Sequence, residues 1–250
     1  MGGQAEEFWW TAVANTGRCE RVGSIESGSR RIATARSECE RRSMARTRSE
    51  NYDDIQRGIL SAACGLFASQ GYMRASIADL ADACKLSRGA LYHYFDSKEA
   101  ILFAILDEHV RRMIADVEAG IAKHASTLDQ FRAAIHAIVD LNARSPQEQR
   151  LILNDLTFLS EADQQTIKSL ERRIVDLVSG LLLKLDNQGK IVKRTRKVYA
   201  MMLFGTLNFS HTWYDPNGGI GPGEFADLVV DQFLYGIAGQ AAPKALRAAP

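Results

Sequence analysis

Between residues 53 and 240 the apolar residues recur at helical spacing in one segment after another, and no run alternates apolar with polar residues as a half-buried strand would. That pattern limits the chain to an all-α fold. Ile55, Ile59, Ala63, Leu66 and Phe67 share one face of a helix over 53–70, and Gly71 ends it. Ser76 opens a short second helix, with Asp79 three residues on to complete a capping box. Ser87 caps a third, Arg88 to Tyr94. Ser97 caps a long fourth, with Glu99 in its first turn, where a carboxylate meets the positive end of the helix dipole. Further helices are expected near 128–143, 147–159, 162–186, 193–213 and 223–238. They are separated at Pro146, at Asp186-Asn187-Gln188-Gly189 and at Asp215-Pro216-Asn217-Gly218-Gly219.

The first 43 residues are of another kind. They hold seven Arg, six Glu, five Gly and five Ser but no Leu or Lys, and Leu60 is the first leucine of the chain. A segment so poor in large aliphatics buries too little surface to offset its ordering entropy. Residues 1–48 are therefore expected to be a disordered basic extension, and 241–250 a flexible tail. Met44 begins a different text, Met44-Ala45-Arg46-Thr47-Arg48, that runs into periodic helix. Either the natural start lies there, or the preceding residues act as an arm whose arginines attract phosphates.

Apolar residues make up 46% and charged residues 24%, the balance of a soluble globular protein, and no stretch approaches the ~18 apolar residues of a membrane span. The early Phe8-Trp9-Trp10 cluster lacks the basic start and long apolar run of a secretory signal. Cys19, Cys39, Cys64 and Cys84 form no CxxC pair, which argues against a zinc cluster or a disulfide framework and for a reducing cytoplasm. A formal net charge of +1 announces no nucleic acid, so any DNA partner must show itself in local pattern.

That pattern lies in residues 76–95. Two short helices joined by a turn of about three residues have the layout of a helix-turn-helix. Ile77, Leu80 and Ala81 are spaced to face inward, Leu86 to lock the turn, and Leu91, Tyr94 and Phe95 to continue the core. Ser87, Arg88, Gly89, Tyr92 and His93 are left for solvent or DNA. Gly89 is costly inside a helix unless something approaches closely, and a phosphate or base edge qualifies. Without DNA the same pattern makes a plain three-helix bundle with an exposed Tyr-His pair.

Phe67-Ala68-Ser69-Gln70-Gly71-Tyr72, Ser76-Ile77-Ala78-Asp79-Leu80-Ala81 and Leu91-Tyr92-His93-Tyr94-Phe95-Asp96-Ser97-Lys98-Glu99 resemble the TetR family of bacterial transcriptional regulators over about 53–106. Lys85 departs from the pattern, standing where a turn glycine is common. A left-handed lysine there costs about 1 kcal/mol. The resemblance implies a homodimer on a palindromic double-stranded DNA operator, with a helix-turn-helix head at 49–96 and a larger helical ligand-binding and dimerisation domain at 97–240. It carries DNA contacts to Thr47, Arg48, Ser76, Lys85, Ser87, Arg88, Gly89, Tyr92, His93 and Lys98. Of these, Arg88 suits a guanine edge, and Tyr92, His93 and Lys98 suit phosphates.

In the second domain, residues 198–213 are apolar nearly all round and Phe225, Leu228, Val229, Phe233 and Ile237 form a stripe. The resemblance assigns these two helices to the dimer interface; ordinary monomer core is the other reading. Phe103, Met113, Phe131, His136, Phe158, Phe204, His211 and Trp213 are the candidate effector-pocket residues. The Trp213-Tyr214-Asp215-Pro216 turn is loosely similar to a stretch of TetR regulators of fatty-acid and acyl-CoA metabolism. Lys190, Lys193, Arg194, Arg196 and Lys197 form a basic cluster, a solvated turn or a contact for nucleotide phosphates. There is no GxSxG, P-loop, complete GxGxxG or HExxH, and the five histidines lack ligand spacing, so neither catalysis nor a metal or cofactor is expected. The expected effector is an acyl-CoA or fatty acid, the alternative a drug or toxic compound sensed to control an efflux pump.

Overall fold

Serine side chains start most of the helices. In the computed structural model, Ser76, Ser87, Ser97, Ser126 and Ser160 each accept a hydrogen bond from the backbone amide three residues on. Each such cap contributes about 1 kcal/mol. The structure describes residues 52–186, 189, 191–192 and 194–236. The extension and tail expected at 1–48 and 241–250, and with them Thr47 and Arg48, lie outside the described residues, as does Ile237.

The helices are α1 (residues 52–70), α2 (Ile77–Ala83), α3 (Arg88–Tyr94), α4 (Lys98–Ala122), α5 (Thr127–Arg144), α6 (Pro146–Asn154), α7 (Glu161–Leu185), α8 (Arg196–Phe209) and α9 (Pro222–Tyr235). No strand occurs among the described residues. The helices expected near 147–159 and 193–213 end early, each in a 3₁₀ turn. After α6 the chain tightens into a 3₁₀ turn at Leu156–Phe158, and after α8 into another at Ser210–Thr212. In the second, Ser210 Oγ and Thr212 Oγ1 donate to the carbonyls of Leu207 and Phe209, while His211 Nδ1 bonds that of Asn208. Side chains that take up backbone carbonyls in this way compete with the α-helical ladder.

Helix α4 carries the head into the body, packing on α5 and α7, while α5 also holds α9 and α7 holds α8. Ile59, Phe67, Leu80 and Leu91 of the head form one continuous apolar cluster with Leu102, Phe131, Ile138 and Leu203 of the body. The seam is fixed at Tyr72. Lys98 Nζ donates to the carbonyls of Tyr72 and Ala75, each at 2.9 Å, and lies 4.3 Å from the Tyr72 ring centroid. Phe158, after α6, stacks on the same ring at 5.2 Å. Thus the first turn of α4 and the 3₁₀ turn after α6 meet at Tyr72, just past the end of α1. Among the described residues no helix is long and apolar enough to cross a membrane.

Candidate nucleic-acid interface

The α2–α3 turn is set by backbone geometry. The Leu86 amide donates to the Ala81 carbonyl and the Lys85 amide to that of Asp82, closing α2 with a Schellman motif. Such a motif requires a left-handed residue, and Lys85 has φ +56°, as its place opposite the usual glycine predicted. Ser76 accepts from the Asp79 amide and donates to its carboxylate at 2.6 Å. The hydroxyl's bond, with a second of 2.8 Å from the Ser76 amide to the same carboxylate, holds the Asp79 carboxyl below its usual range.

Helix α3 divides sharply. Leu91 and Phe95 are buried, Tyr94 and Leu86 half-buried, and Ser87, Arg88, Gly89, Tyr92 and His93 exposed, with Lys85 exposed beside them. The His93 ring leans edge-on against Tyr52 of α1 and Tyr94. A Cβ on Gly89 would find nothing nearer than Ser87 Oγ at 4.0 Å, so no neighbour inside the protein demands glycine. The exposed side presents a guanidinium fork, a phenol and an imidazole within two helical turns. Those groups suit guanine edges and phosphate oxygens. Lys98 stands apart from them, because two of its three N–H bonds are directed to the Tyr72 and Ala75 carbonyls.

The eight residues expected to share an effector pocket do not come together. Phe131, Met113 and Phe204 are buried in the common core and Phe103 packs against it. Phe158 stacks on Tyr72, and Trp213 is largely exposed with its edge toward Phe225. His136 Nε2 lies 3.0 Å from Asp227 Oδ1 in an open cleft beside α4. Of the eight, only His211 lines the cleft between the end of α1, the α5–α6 elbow, the end of α8 and the start of α9. Of the basic cluster, Arg196 faces Asp176 at 3.9 Å, and Lys190 and Lys193 lie outside the described residues. Among the described residues no three His, Cys, Asp or Glu side chains are grouped to hold a metal. Burial and the nearby Glu148 push the Cys64 thiol up to about 12, so it is no thiolate ligand.

Sequence reasoning missed a buried polar chain. His109 of α4 donates from Nε2 to Gln149 Oε1 at 3.4 Å, and Gln149 Nε2 donates to Asn208 Oδ1 of α8 at 3.3 Å. The available signal was a glutamine on the apolar face of α6, three residues before Ile152. Burial holds the His109 pKa below its ordinary 6.5, against the opposing pull of Gln149 and Glu148; Arg112 adds to the lowering. The native imidazole therefore stays neutral where the unfolded one takes up a proton. Stability is retained in full above about pH 6.5 and falls as the pH drops below it, by at most about 1.4 kcal/mol per pH unit. Thermal melts across this range should show the fall in the parent and a flatter profile in His109→Gln; equal slopes would reject the assignment.

Residues 59–105 match the family described as bacterial regulatory proteins, tetR family, and residues 124–237 match the tetracyclin repressor-like C-terminal domain. The chain belongs to the TetR family. Its head and body thus have the family's helix-turn-helix and helical C-terminal architecture, and the chain is a DNA-binding transcriptional regulator. It is 26% identical over 185 residues to the HTH-type transcriptional activator FasR of Mycolicibacterium smegmatis, covering 73% of this chain and 83% of that one. A TetR-family regulator from Bordetella parapertussis superposes with a TM-score of 0.71 at 30% identity, over 76% of this chain and 98% of its own. AibR, solved with isovaleryl coenzyme A and operator DNA, superposes at 0.64 with 26% identity, over 72% of this chain and 98% of its own.

Proposed function

We propose that this TetR-family protein is a cytoplasmic, homodimeric repressor that reads a palindromic operator through α3 and releases it when an acyl-CoA or fatty acid binds the body. The exposed Arg88–Tyr92–His93 side of α3, held on a rigid three-helix head, carries the reading. One such helix reads few base pairs, and a two-fold dimer doubles the contacts. Support for the dimer comes from α8, whose Met201, Met202 and Phe209 are 53%, 60% and 65% exposed while Ala200, Leu203 and Leu207 are buried on its other side. An effector that favours a dimer with altered head spacing lowers operator affinity, and α4, continuous from head to body, couples the two sites. No catalytic step is assigned to the chain. The support for the effector class is the likeness to AibR.

Selection of random duplexes by the full chain tests this. An inverted repeat should be recovered, its half-sites about 34–36 Å apart or a multiple of that, with affinity falling steeply as salt rises. No enrichment of any sequence would refute operator reading.

A further inference from the structure

Tyr52 lies before residues 59–105, which match the family's head, so the family likeness gives it no role. It shares the inward stripe of α1 with Ile55 and Ile59, three and seven residues on. Ile59 is buried and Ile55 half-buried, but Tyr52 is 36% exposed, because the stripe outruns the core at the start of the helix. The phenol ring lies instead against the last turn of α3. Its centroid is 4.6 Å from that of Tyr94 and 6.2 Å from that of His93, with the His93 plane turned 83° to it. His93 meets the Tyr94 ring in the same way, 5.5 Å away at 81°.

These two edge-on contacts are what orients the imidazole. His93 stands on the exposed side of α3, and among the described residues no hydrogen bond or ion pair holds it. Perpendicular rings at such separations attract, since the positive edge of one meets the negative face of the other. A surface side chain without such support has to be ordered when a partner binds, which lowers affinity by roughly two- to twelvefold. Tyr94 is the chain neighbour of His93 and shares its helix. Tyr52 comes from α1, so its contact fixes the imidazole against the rest of the head.

We propose that Tyr52 is a positioning residue for DNA binding: it holds the His93 imidazole in the orientation in which it meets a backbone phosphate. The proposal rests on the reading of DNA through α3 given above and adds to it a residue of α1. Asp53 and Asp54 follow Tyr52 at the exposed start of α1, and two carboxylates there disfavour a direct phosphate contact by its hydroxyl. Tyr52 therefore acts through its ring, and phenylalanine serves as well as tyrosine. A phosphate carries no sequence information, so the effect falls on every duplex alike.

Fluorescence anisotropy with the full chain, on the inverted repeat recovered by selection and on its scrambled counterpart, tests this. Tyr52→Phe should bind both duplexes as the parent does. Tyr52→Ala should weaken both equally, by roughly two- to twelvefold for each head engaged. His93→Ala should weaken them at least as much, and Tyr52→Ala should then add nothing in the double variant. In proton spectra of the free protein, the His93 ring signals should shift in Tyr52→Ala and stay in place in Tyr52→Phe, which a loss of head stability alone would not produce. Equal weakening by Tyr52→Phe and Tyr52→Ala would mean that the hydroxyl itself touches DNA. An added loss in the double variant would mean that Tyr52 acts without His93. Either result overturns the proposal. So does parent-like binding by either alanine variant while the parent still prefers its inverted repeat, a result that leaves the α3 reading intact. If the parent prefers no sequence, the operator reading falls and the proposal with it.

Discussion

Replacing Arg88 with alanine is expected to weaken operator binding by about 1–3 kcal/mol, roughly five- to 150-fold, and to flatten the preference for operator over scrambled DNA. Arg88 is exposed at the first position of α3 and no neighbour in the head needs its guanidinium, so the loss falls on the complex rather than on folding. Tyr92→Ala should weaken binding to every duplex about equally, as loss of a phosphate contact does. Gly89→Ala should separate two effects. It stabilises the isolated head by up to about 1 kcal/mol, since the site has room for a Cβ and alanine favours helix, yet it weakens binding if backbone and DNA approach there. Gel-shift titrations against operator and scrambled duplexes, with melting curves as the folding control, decide the matter. Parent-like affinity in both Arg88→Ala and Tyr92→Ala would show that another side of the head faces DNA.

The parts of this molecule legible in the sequence are those fixed by local chemistry. Ser76, Ser87 and Ser97 announce their helices because a cap bonds an amide three residues away, and φ +56° at Lys85 follows from the Schellman turn that the motif requires. The division of α3 into a buried Leu91 side and an exposed Tyr92 side follows from helical period alone. What the sequence withholds is the register between helices. Phe131 and Phe204 look like pocket residues by type, yet the packing of α5 and α8 turns both into the core. Gln149 is a lone amide on the apolar face of α6, and only the packing of α4, α6 and α8 sets it between His109 and Asn208. Lys98 reads as a phosphate contact by its place, and what the sequence does not show is that the fold also sets the Tyr72 and Ala75 carbonyls 2.9 Å from its Nζ. The Lys98 and Gln149 contacts span 23 to 59 residues, beyond the reach of periodicity.

The same distinction governs the expected behaviour of α8. Its sequence is apolar nearly all round, which says that two sides must be covered but not by what. Ala200, Leu203, Phe204 and Leu207 are covered by the monomer, leaving Met201, Met202 and Phe209 on the outside. Burying large apolar side chains of this kind stabilises an interface by about 1.5–3 kcal/mol each when burial is complete. A stripe of such residues is a natural seam for a second copy. Met201→Glu combined with Phe209→Glu therefore should leave the monomer folded, because neither side chain contributes to its core, while placing charges where two copies would meet. Sedimentation velocity should show the species shift from dimer to monomer. Affinity for a full palindrome should drop at least a hundredfold, toward that for a single half-site, since one head makes half the contacts. The α-helical circular dichroism should stay that of the parent. A double variant that still sediments as a dimer and holds the full operator would place the dimer seam elsewhere and leave the exposed side of α8 for another partner.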